Sequence, residues 1–266
     1  MWKAIHKLTK KTYAIKIIDK IEINRYPILQ SLFQTEITIM HEIDHPNILH
    51  LYNLIECQDY YYLILQYCKD GNFQNYQKKH KKTKYWSEKQ CVAFFKQIAN
   101  AFFELRKHKV LHRDFKLDNI LVDDGKLIVG DFGFAKKGHE ITSTRLGTPI
   151  TMAPELLDPQ NDNDYDSKID LWSAGVVFYQ ILFQKTPFKG QSKIELLQSI
   201  KRNCGEKLKF PREVSEESKH LLVSMLQFRP KERLDWQSFY NHRLFTKFKP
   251  ALQKNLTIFD SQFMIN

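Results

Sequence analysis

One short stretch of the chain, from Val110 to Asn119, concentrates side chains that are able to do chemistry. Its sequence, VLHRDFKLDN, brings together an acid, an amine and an amide in Asp114, Lys116 and Asn119. A carboxylate can accept a proton from a hydroxyl nucleophile, an ammonium group can neutralise a phosphoryl group in transfer, and an amide oxygen can hold a hard cation. A solvated loop rich in turns also contains these residue types, so the stretch by itself leaves both interpretations open.

The segments before this loop predict a small β-rich unit with one helix. The run from Lys11 to Asp19 alternates around β-branched and aromatic residues, which predicts a strand that carries Lys16 in an apolar neighbourhood. A lysine there needs an anionic partner. Apolar residues at helical spacing from Ile28 to Ile43 predict a helix with Glu36 near its middle. Two further strand-like runs follow, Leu49 to Glu56 and Tyr60 to Tyr67.

The character of the chain changes beyond Cys68, where Asp70-Gly71 marks a turn and most later patterns are helical. Ser87 with Gln90 forms a capping-box signature for the helix that leads into the polar loop. We therefore expect a β-rich lobe over residues 1–67, a larger helical lobe over 68–245 and a tail over 246–266.

The residues that follow the loop predict a hairpin and then more helices. Two apolar runs joined at Asp124-Gly125 favour a hairpin with a mirror-image turn, and the GDFG sequence puts Asp131 at its exit. Ser192 with Glu195 is a second capping-box signature. The helical patterns cover Lys168 to Gln184, Ser192 to Arg202 and Ser215 to Phe228.

Composition narrows the classes of protein. Lys and Arg outnumber Asp and Glu by 41 to 30, a net charge of +11 that suits acidic partners, nucleic acid or an anionic membrane surface. The charge is scattered, so we expect no specific nucleic-acid partner. Its one dense run, Lys78 to Lys84, is predicted to be a solvated loop, with a dedicated anion patch as the alternative.

The cysteines and the apolar runs indicate a compartment. The four cysteines are far apart and form no CxxC pair, so neither a zinc site nor a disulfide framework is indicated. No apolar run approaches the roughly 18 residues of a membrane span, and the first residues lack the apolar segment of a signal peptide. We expect a soluble protein of the reducing cytoplasm without a transmembrane segment.

Seven motifs then follow one another in an order that resembles the eukaryotic protein serine/threonine kinases. They are YAIK (Tyr13 to Lys16), Glu36, HRDFKLDN (His112 to Asn119), DFG (Asp131 to Gly133), APE (Ala153 to Glu155), DLWSAG (Asp170 to Gly175) and Arg233. Within that family the stretches GFAKK, GTPITMAPELL and PREVSEESKHLLVSMLQF are similar to the autophagy-initiating ULK-type kinases, and in part to calmodulin-regulated kinases.

The resemblance implies an α+β fold with two lobes, with ATP and Mg²⁺ bound between them and protein substrates. It implies catalytic roles for Asp114, Lys116 and Asn119, and metal-ligand roles for Asn119 and Asp131. It assigns nucleotide binding to Ala14, Lys16, Glu36, Leu65, Gln66, Cys68, Leu121 and Asp131. Among these, Lys16 would hold the phosphates with the help of Glu36, Leu65 would be the gatekeeper, and Ala14 and Leu121 would sandwich the adenine ring. The backbones of Gln66 and Cys68 would bond adenine.

Three further expectations follow from the resemblance. Thr148 would join Lys116 in steadying Asp114. A spine of His112, Phe132, Met40 and Leu51 would stack between the lobes, and Arg233 would pair with Glu155. Arg113 would pair with a phosphorylated residue of the activation segment, first Thr144 and then Thr142 or Ser143, modified by an upstream kinase.

The chain departs from the family pattern at two points. The family's glycine-rich loop should precede YAIK, yet the first glycine is Gly71, which indicates either a truncated or misassigned start or a protein that lacks the loop. Thr151 stands where the family usually has an aromatic residue beside the substrate. An active kinase is the leading hypothesis, with a pseudokinase or scaffold, and a small-molecule phosphotransferase, as alternatives.

Overall fold

The computed structural model describes residues 1–80, 85–138, 147–158 and 165–247. A four-stranded antiparallel sheet forms the N-terminal lobe, with the strand order β1-β2-β4-β3. The strands are β1 Trp2–Ile5, β2 Thr12–Asp19, β3 Leu51–Glu56 and β4 Tyr60–Gln66. Paired residues share a face, so Ala14 opposite Leu65 and Lys16 opposite Leu63 point to the same side of the sheet.

Two helices that connect β2 to β3 along the chain pack on this sheet, namely α1 Lys20–Asn24 and α2 Pro27–Glu42. Asp19 caps α1 by accepting a hydrogen bond from the N–H of Ile21 at 2.7 Å. Proline at the first position of α2 suits a helix start, because its missing N–H would have no helical partner there. The buried residues of α2 include Glu36, Ile39 and Met40, so the helix turns one polar side chain toward the interior.

The second lobe is mostly helical. Its helices are α3 Phe73–His80, α4 Glu88–Lys107, α5 Pro154–Leu157, α6 Lys168–Phe183, α7 Lys193–Asn203, α8 Glu216–Met225, α9 Trp236–Tyr240 and α10 Arg243–Lys247. Short 3₁₀ turns cover Leu117–Asn119, Pro149–Thr151 and Gly205–Lys207. All of α6 except Lys168 and Gln180 is buried, which follows from its lack of a polar face. The rings of Phe95 on α4 and Phe178 on α6 stack at 4.2 Å.

Two small ribbons lie between the lobes. Strands β5 Val110–Leu111 and β8 Lys136–Lys137 pair, and strands β6 Ile120–Asp123 and β7 Lys126–Val129 form the hairpin that the sequence predicts. Its turn residues have φ of +55° at Asp124 and +74° at Gly125, as a mirror-image turn requires. Bridges from Ile48 to Val129 and from Asn72 to Leu121 tie this hairpin to both lobes.

The predicted elements are present, with boundaries that differ by one to three residues. The loop prediction for the lysine run is wrong at its start, because Lys78 and His80 lie in the last turn of α3; residues 81–84 lie outside the described part.

Ser192 does cap α7, but the Glu195 carboxylate accepts from the N–H of Gln191, so the reciprocal bond of a capping box is replaced. The predicted lobe boundaries stay predictions. Helix α10 extends past residue 245, and 248–266 are not described.

None of the helices in residues 1–80, 85–138, 147–158 and 165–247 combines enough length with enough apolar character to cross a bilayer. The most apolar helix, α6, is 16 residues long, and a span needs about 20.

Candidate active site

The polar loop after β5 is held in place from beneath by Asp170 at the start of α6. The Asp170 carboxylate accepts hydrogen bonds from the N–H groups of His112 at 2.7 Å and Arg113 at 2.9 Å. Burial raises the pKa of Asp170, and the charge of His112 and these two N–H donors oppose that rise. Arg113 has a φ of +65°, a conformation that a non-glycine residue keeps only where its surroundings hold it there.

Asp114 is bound on all sides by the groups that could orient it. Lys116 Nζ donates to Asp114 Oδ2 at 2.6 Å and to Thr148 Oγ1 at 2.7 Å. The N–H and the hydroxyl of Thr148 both donate to Asp114 Oδ1 at 2.7 Å. Asn119 Nδ2 donates to the backbone oxygen of Asp114 at 2.9 Å. The expected pairing of Lys116 with Thr148 is therefore present, and it spans 32 residues of chain.

Across the cleft, β2 and α2 bring a lysine and a glutamate together. Lys16 Nζ lies 2.7 Å from Glu36 Oε1, and only 7% of the Glu36 side chain is exposed. The partner that the apolar setting of Lys16 demands is thus the buried acid of α2. This pair holds a positive charge at a fixed place on the wall of the cleft.

Asp131 leaves the end of β7 in a left-handed conformation, with a φ of +62°. Its Oδ1 lies 3.3 Å from the point where a Cβ on Gly133 would stand. A Cβ at residue 133 would therefore lie in a tight contact with this carboxylate, which would have to shift by a few tenths of an ångström.

The cleft between the lobes has a volume of about 270 Å³. Its lining contains six of the residues that the sequence assigned to nucleotide or metal: Lys16, Glu36, Leu65, Asn119, Leu121 and Asp131. Met1, Met40, Leu49, Asp118 and Gly130 line it as well. Sequence reasoning assigned no site role to Met1, Leu49, Asp118 or Gly130. Of these four residues, the sequence marked only Gly130, as the glycine directly before Asp131. The structure shows that a Cβ there would lie 3.1 Å from Leu49 Cδ2.

Three of the assigned residues, Ala14, Gln66 and Cys68, are not part of this lining. Ala14 pairs with Leu65 in the sheet, and the N–H of Gln66 donates to the backbone oxygen of His50 at 2.9 Å. The backbone oxygen of Cys68 accepts from Gly71 at 3.3 Å, and burial raises the pKa of the Cys68 thiol to about 12. Their proposed contacts with adenine therefore stay predictions.

Two long-range contacts connect the site to the core. The rings of His112 and Phe132 lie 5.3 Å apart, and His112 Nε2 is 3.1 Å from the backbone oxygen of Gly130, so this part of the expected spine is in contact. Arg233 binds Glu155 with two hydrogen bonds of 2.9 and 3.1 Å, and the Arg233 side chain is fully buried. Such a two-pronged pair fixes the APE segment to the helical lobe.

Comparison with known proteins decides the family. The family model described as the protein kinase domain matches residues 1–245. The chain belongs to the protein kinase family.

Over the aligned residues, relatives within that family are about one-third identical to this kinase chain. "Serine/threonine-protein kinase ATG1c" of Arabidopsis thaliana is 36% identical over 91% of the chain and 33% of its own length. "Calcium-dependent protein kinase 5" of Plasmodium berghei is 37% identical over 93% of the chain and 43% of its own length. "Serine/threonine-protein kinase ULK1" of Homo sapiens is 33% identical over 91% of the chain and 23% of its own length. The similarity to ULK-type kinases is confirmed, and the chain spans about a third of the length of the relatives matched first.

The remaining site predictions concern the activation segment of this kinase chain. Thr144, Thr142 and Ser143 lie outside the described residues. Arg113 Nε donates to the backbone oxygen of Phe134 at 2.6 Å. Thr151, at the departure from the family pattern, is 2% exposed.

The donor atoms in the kinase cleft fit a magnesium ion. Asn119 uses its amide N–H on Asp114 and keeps its side-chain oxygen for a cation, while Asp131 contributes a carboxylate on the same cleft wall. Mg²⁺ prefers one or two protein oxygens and takes its other ligands from phosphates and water. In the described ranges, no group of three or more His, Cys, Asp or Glu side chains could hold a metal by itself.

Proposed function

We propose that this chain transfers the γ-phosphate of ATP to serine and threonine hydroxyls of protein substrates. The observation that supports this best is the hydrogen-bonded set around Asp114, in which Lys116 contacts both Asp114 and Thr148. A scaffold that only binds partners has no chemical need for an aspartate so completely oriented, and the same cleft carries the Lys16–Glu36 pair and Asp131.

Each residue would act through position and charge. Asp114 would accept a hydrogen bond from the substrate hydroxyl and orient that hydroxyl toward the phosphate. The two hydrogen bonds from Thr148 would keep the Asp114 carboxylate in one orientation. Lys116, whose Nζ lies 2.6 Å from Asp114 Oδ2, would neutralise negative charge on the phosphoryl group during transfer. Because the transition state is loose, positioning and neutralisation supply most of the rate.

The nucleotide phosphates would be held from across the cleft, and the metal beside Asp114. Lys16, kept in place by Glu36, would bind the phosphates of ATP. Asn119 and Asp131 would hold Mg²⁺, which when bound neutralises charge on the phosphates. Leu65 and Leu121 would supply apolar contact for the adenine ring from the cleft lining. For Ala14, Gln66 and Cys68 we keep the adenine contacts that the family resemblance implies.

The wider biology is also part of this proposal. We place the protein in the cytoplasm, with protein substrates and an upstream kinase that modifies Thr144. Relatives named as ATG1 and ULK1 kinases support this choice, and the chain covers about a third of the length of those matched first.

The test replaces Asp114 by asparagine, which keeps the shape of the side chain and removes its charge. We expect Asp114→Asn to lower the turnover number for a serine/threonine peptide by at least about a thousandfold, since base and orientation are both lost. The affinity for ATP with Mg²⁺, measured by calorimetry, should change little. Asp124→Asn is the control, because Asp124 lies in the exposed hairpin turn and its side chain is 87% exposed.

Two outcomes would contradict the proposal. Undiminished turnover by Asp114→Asn would remove Asp114 from the mechanism. Absence of peptide phosphorylation by the unaltered sequence even when Thr144 is phosphorylated, together with intact nucleotide binding, would favour the pseudokinase instead.

A further inference from the structure

The loop between β1 and β2 carries the most exposed large apolar side chain in the described part of the chain. Leu8 is 87% exposed, in a turn that runs from His6 to Lys11. Leaving a leucine this open gives up the free energy that its burial would supply, so a partner that covers it gains that free energy. A single exposed leucine is common on protein surfaces, so a docking role for Leu8 depends on the charges beside it.

The segment of chain on either side of Leu8 carries charge of one sign. The first 18 residues contain five lysines, at positions 3, 7, 10, 11 and 16, and their first acidic neighbour is Asp19. Lys16 points toward the cleft and is paired with Glu36. Lys7 and Lys10 flank Leu8 and form no ion pair with any residue in the described ranges. The tip therefore presents one apolar side chain between unpaired positive charges.

Hydrogen bonds within the tip hold its backbone in a defined turn, so little order has to be gained when it binds. The N–H of Lys10 donates to the backbone oxygen of His6 at 2.9 Å, and the N–H of His6 donates to that of Lys11 at 2.9 Å. The N–H of Thr9 donates to His6 Nδ1 at 3.2 Å. At the base, Lys11 Nζ donates to the hydroxyl of Tyr52 at 3.1 Å and lies 4.2 Å from the centre of its ring. A preorganised loop loses less conformational entropy on association.

We propose that this hairpin tip, His6 to Lys11, docks the protein on an anionic lipid bilayer. Leu8 enters the boundary between headgroups and acyl chains, and Lys7 and Lys10 contact the acidic headgroups. An acidic protein partner fits the tip less well. A single leucine on a convex turn needs a matching pocket in a folded partner, whereas a fluid bilayer closes around it.

The expected strength is modest, as suits reversible attachment. A lysine near an anionic bilayer contributes about a fivefold gain in affinity, and the burial of a leucine contributes about tenfold. Reversing Lys7 and Lys10 together should therefore lower affinity at least about 25-fold, since both attractions are lost and two repulsions are added. Leu8→Ser should lower it by about tenfold.

The experiment measures co-sedimentation of the full chain with two kinds of vesicle, phosphatidylcholine alone and phosphatidylcholine mixed with phosphatidylserine. We expect binding to the mixed vesicles only, weakened by added salt, and reduced by Leu8→Ser and by the double variant Lys7→Glu/Lys10→Glu. Matched controls are Ile194→Ser and Lys78→Glu/Lys79→Glu, which remove an exposed isoleucine on α7 and two exposed lysines on α3. These controls should bind as the unaltered chain does.

Three results would overturn the proposal. One is binding that is absent from mixed vesicles. Another is equal loss in the tip variants and in their controls, which would indicate attraction to the overall charge of +11. The third is displacement by soluble polyglutamate without any effect of Leu8→Ser, which would make the tip an acidic-protein site. Unfolding curves of the variants separate these results from loss of fold.

Discussion

Gly147 is the glycine whose replacement should most directly disturb Asp114. It has a φ of +124°, and a Cβ at this residue would stand 2.5 Å from the backbone oxygen of Arg113. Real Cβ atoms do not approach closer than 3.0 Å, so in Gly147→Ala one of the two backbones must move by at least 0.5 Å, the difference between the two distances. Either movement stretches the 2.7 Å contact between the N–H of Thr148 and Asp114.

Gly138 supplies a control with nearly the same backbone. Its φ is +119°, and no atom of the described residues lies within 4 Å of a Cβ built there. Both alanine variants therefore carry the backbone strain of a positive φ, roughly 1–3 kcal/mol. Only Gly147→Ala adds the collision, worth on the order of 2 kcal/mol by analogy with overpacked cores. The difference in free energy of unfolding between the two variants should be about 2 kcal/mol.

Activity should separate the variants further. A displacement of about 1 Å at a catalytic group lowers rates by about a hundredfold, so a shift of half that size predicts at least about a tenfold loss of turnover for Gly147→Ala alone. Denaturant unfolding and initial rates on a serine/threonine peptide measure the two quantities. Equal stability and equal turnover of the two variants would refute the idea that contact with Arg113 requires glycine at 147.

Two more predictions concern the core of the helical lobe. Arg233→Lys should lower the free energy of unfolding by about 3 kcal/mol, because lysine cannot form both bonds to buried Glu155. Its control, Arg229→Lys at the surface, should change that free energy by less than about 0.5 kcal/mol. Similar losses in the two variants would contradict the argument from burial. Burial and the neighbouring His220 lower the pKa of His242 from 6.5 to about 4. The unfolded chain therefore binds the proton first, so stability falls as the pH falls. Denaturant titrations from pH 7 to pH 4 should show a loss of unfolding free energy that is about 3 kcal/mol larger for the unaltered chain than for His242→Gln, and parallel curves would contradict it.

Local sequence signals predicted the elements well where one segment contains its own cause. The hairpin turn at Asp124-Gly125 and the capping box of Ser87 with Gln90 both appear as expected, because each depends on backbone chemistry within four residues. At α7 the signature was incomplete, since the Glu195 carboxylate found the nearer N–H of Gln191. Short helices such as α3 escaped notice because few residues repeat in eight positions.

The sequence by itself determined which groups are available to the site. Residue types were enough to name Asp114, Lys116 and Asn119 as candidates, because charge and hydrogen-bonding capacity belong to the side chain itself. The resemblance of YAIK and DFG to the kinase motifs added Lys16 and Asp131.

Only the tertiary structure decided how those groups meet. The contacts between Lys16 and Glu36 and between Lys116 and Thr148 join residues 20 and 32 positions apart, and their distances depend on how whole elements pack. The lining of the cleft by Leu49 and Gly130, and the contact that demands glycine at 147, arise in the same way. No local pattern encodes them, because each is a distance between backbones that only the assembled core sets.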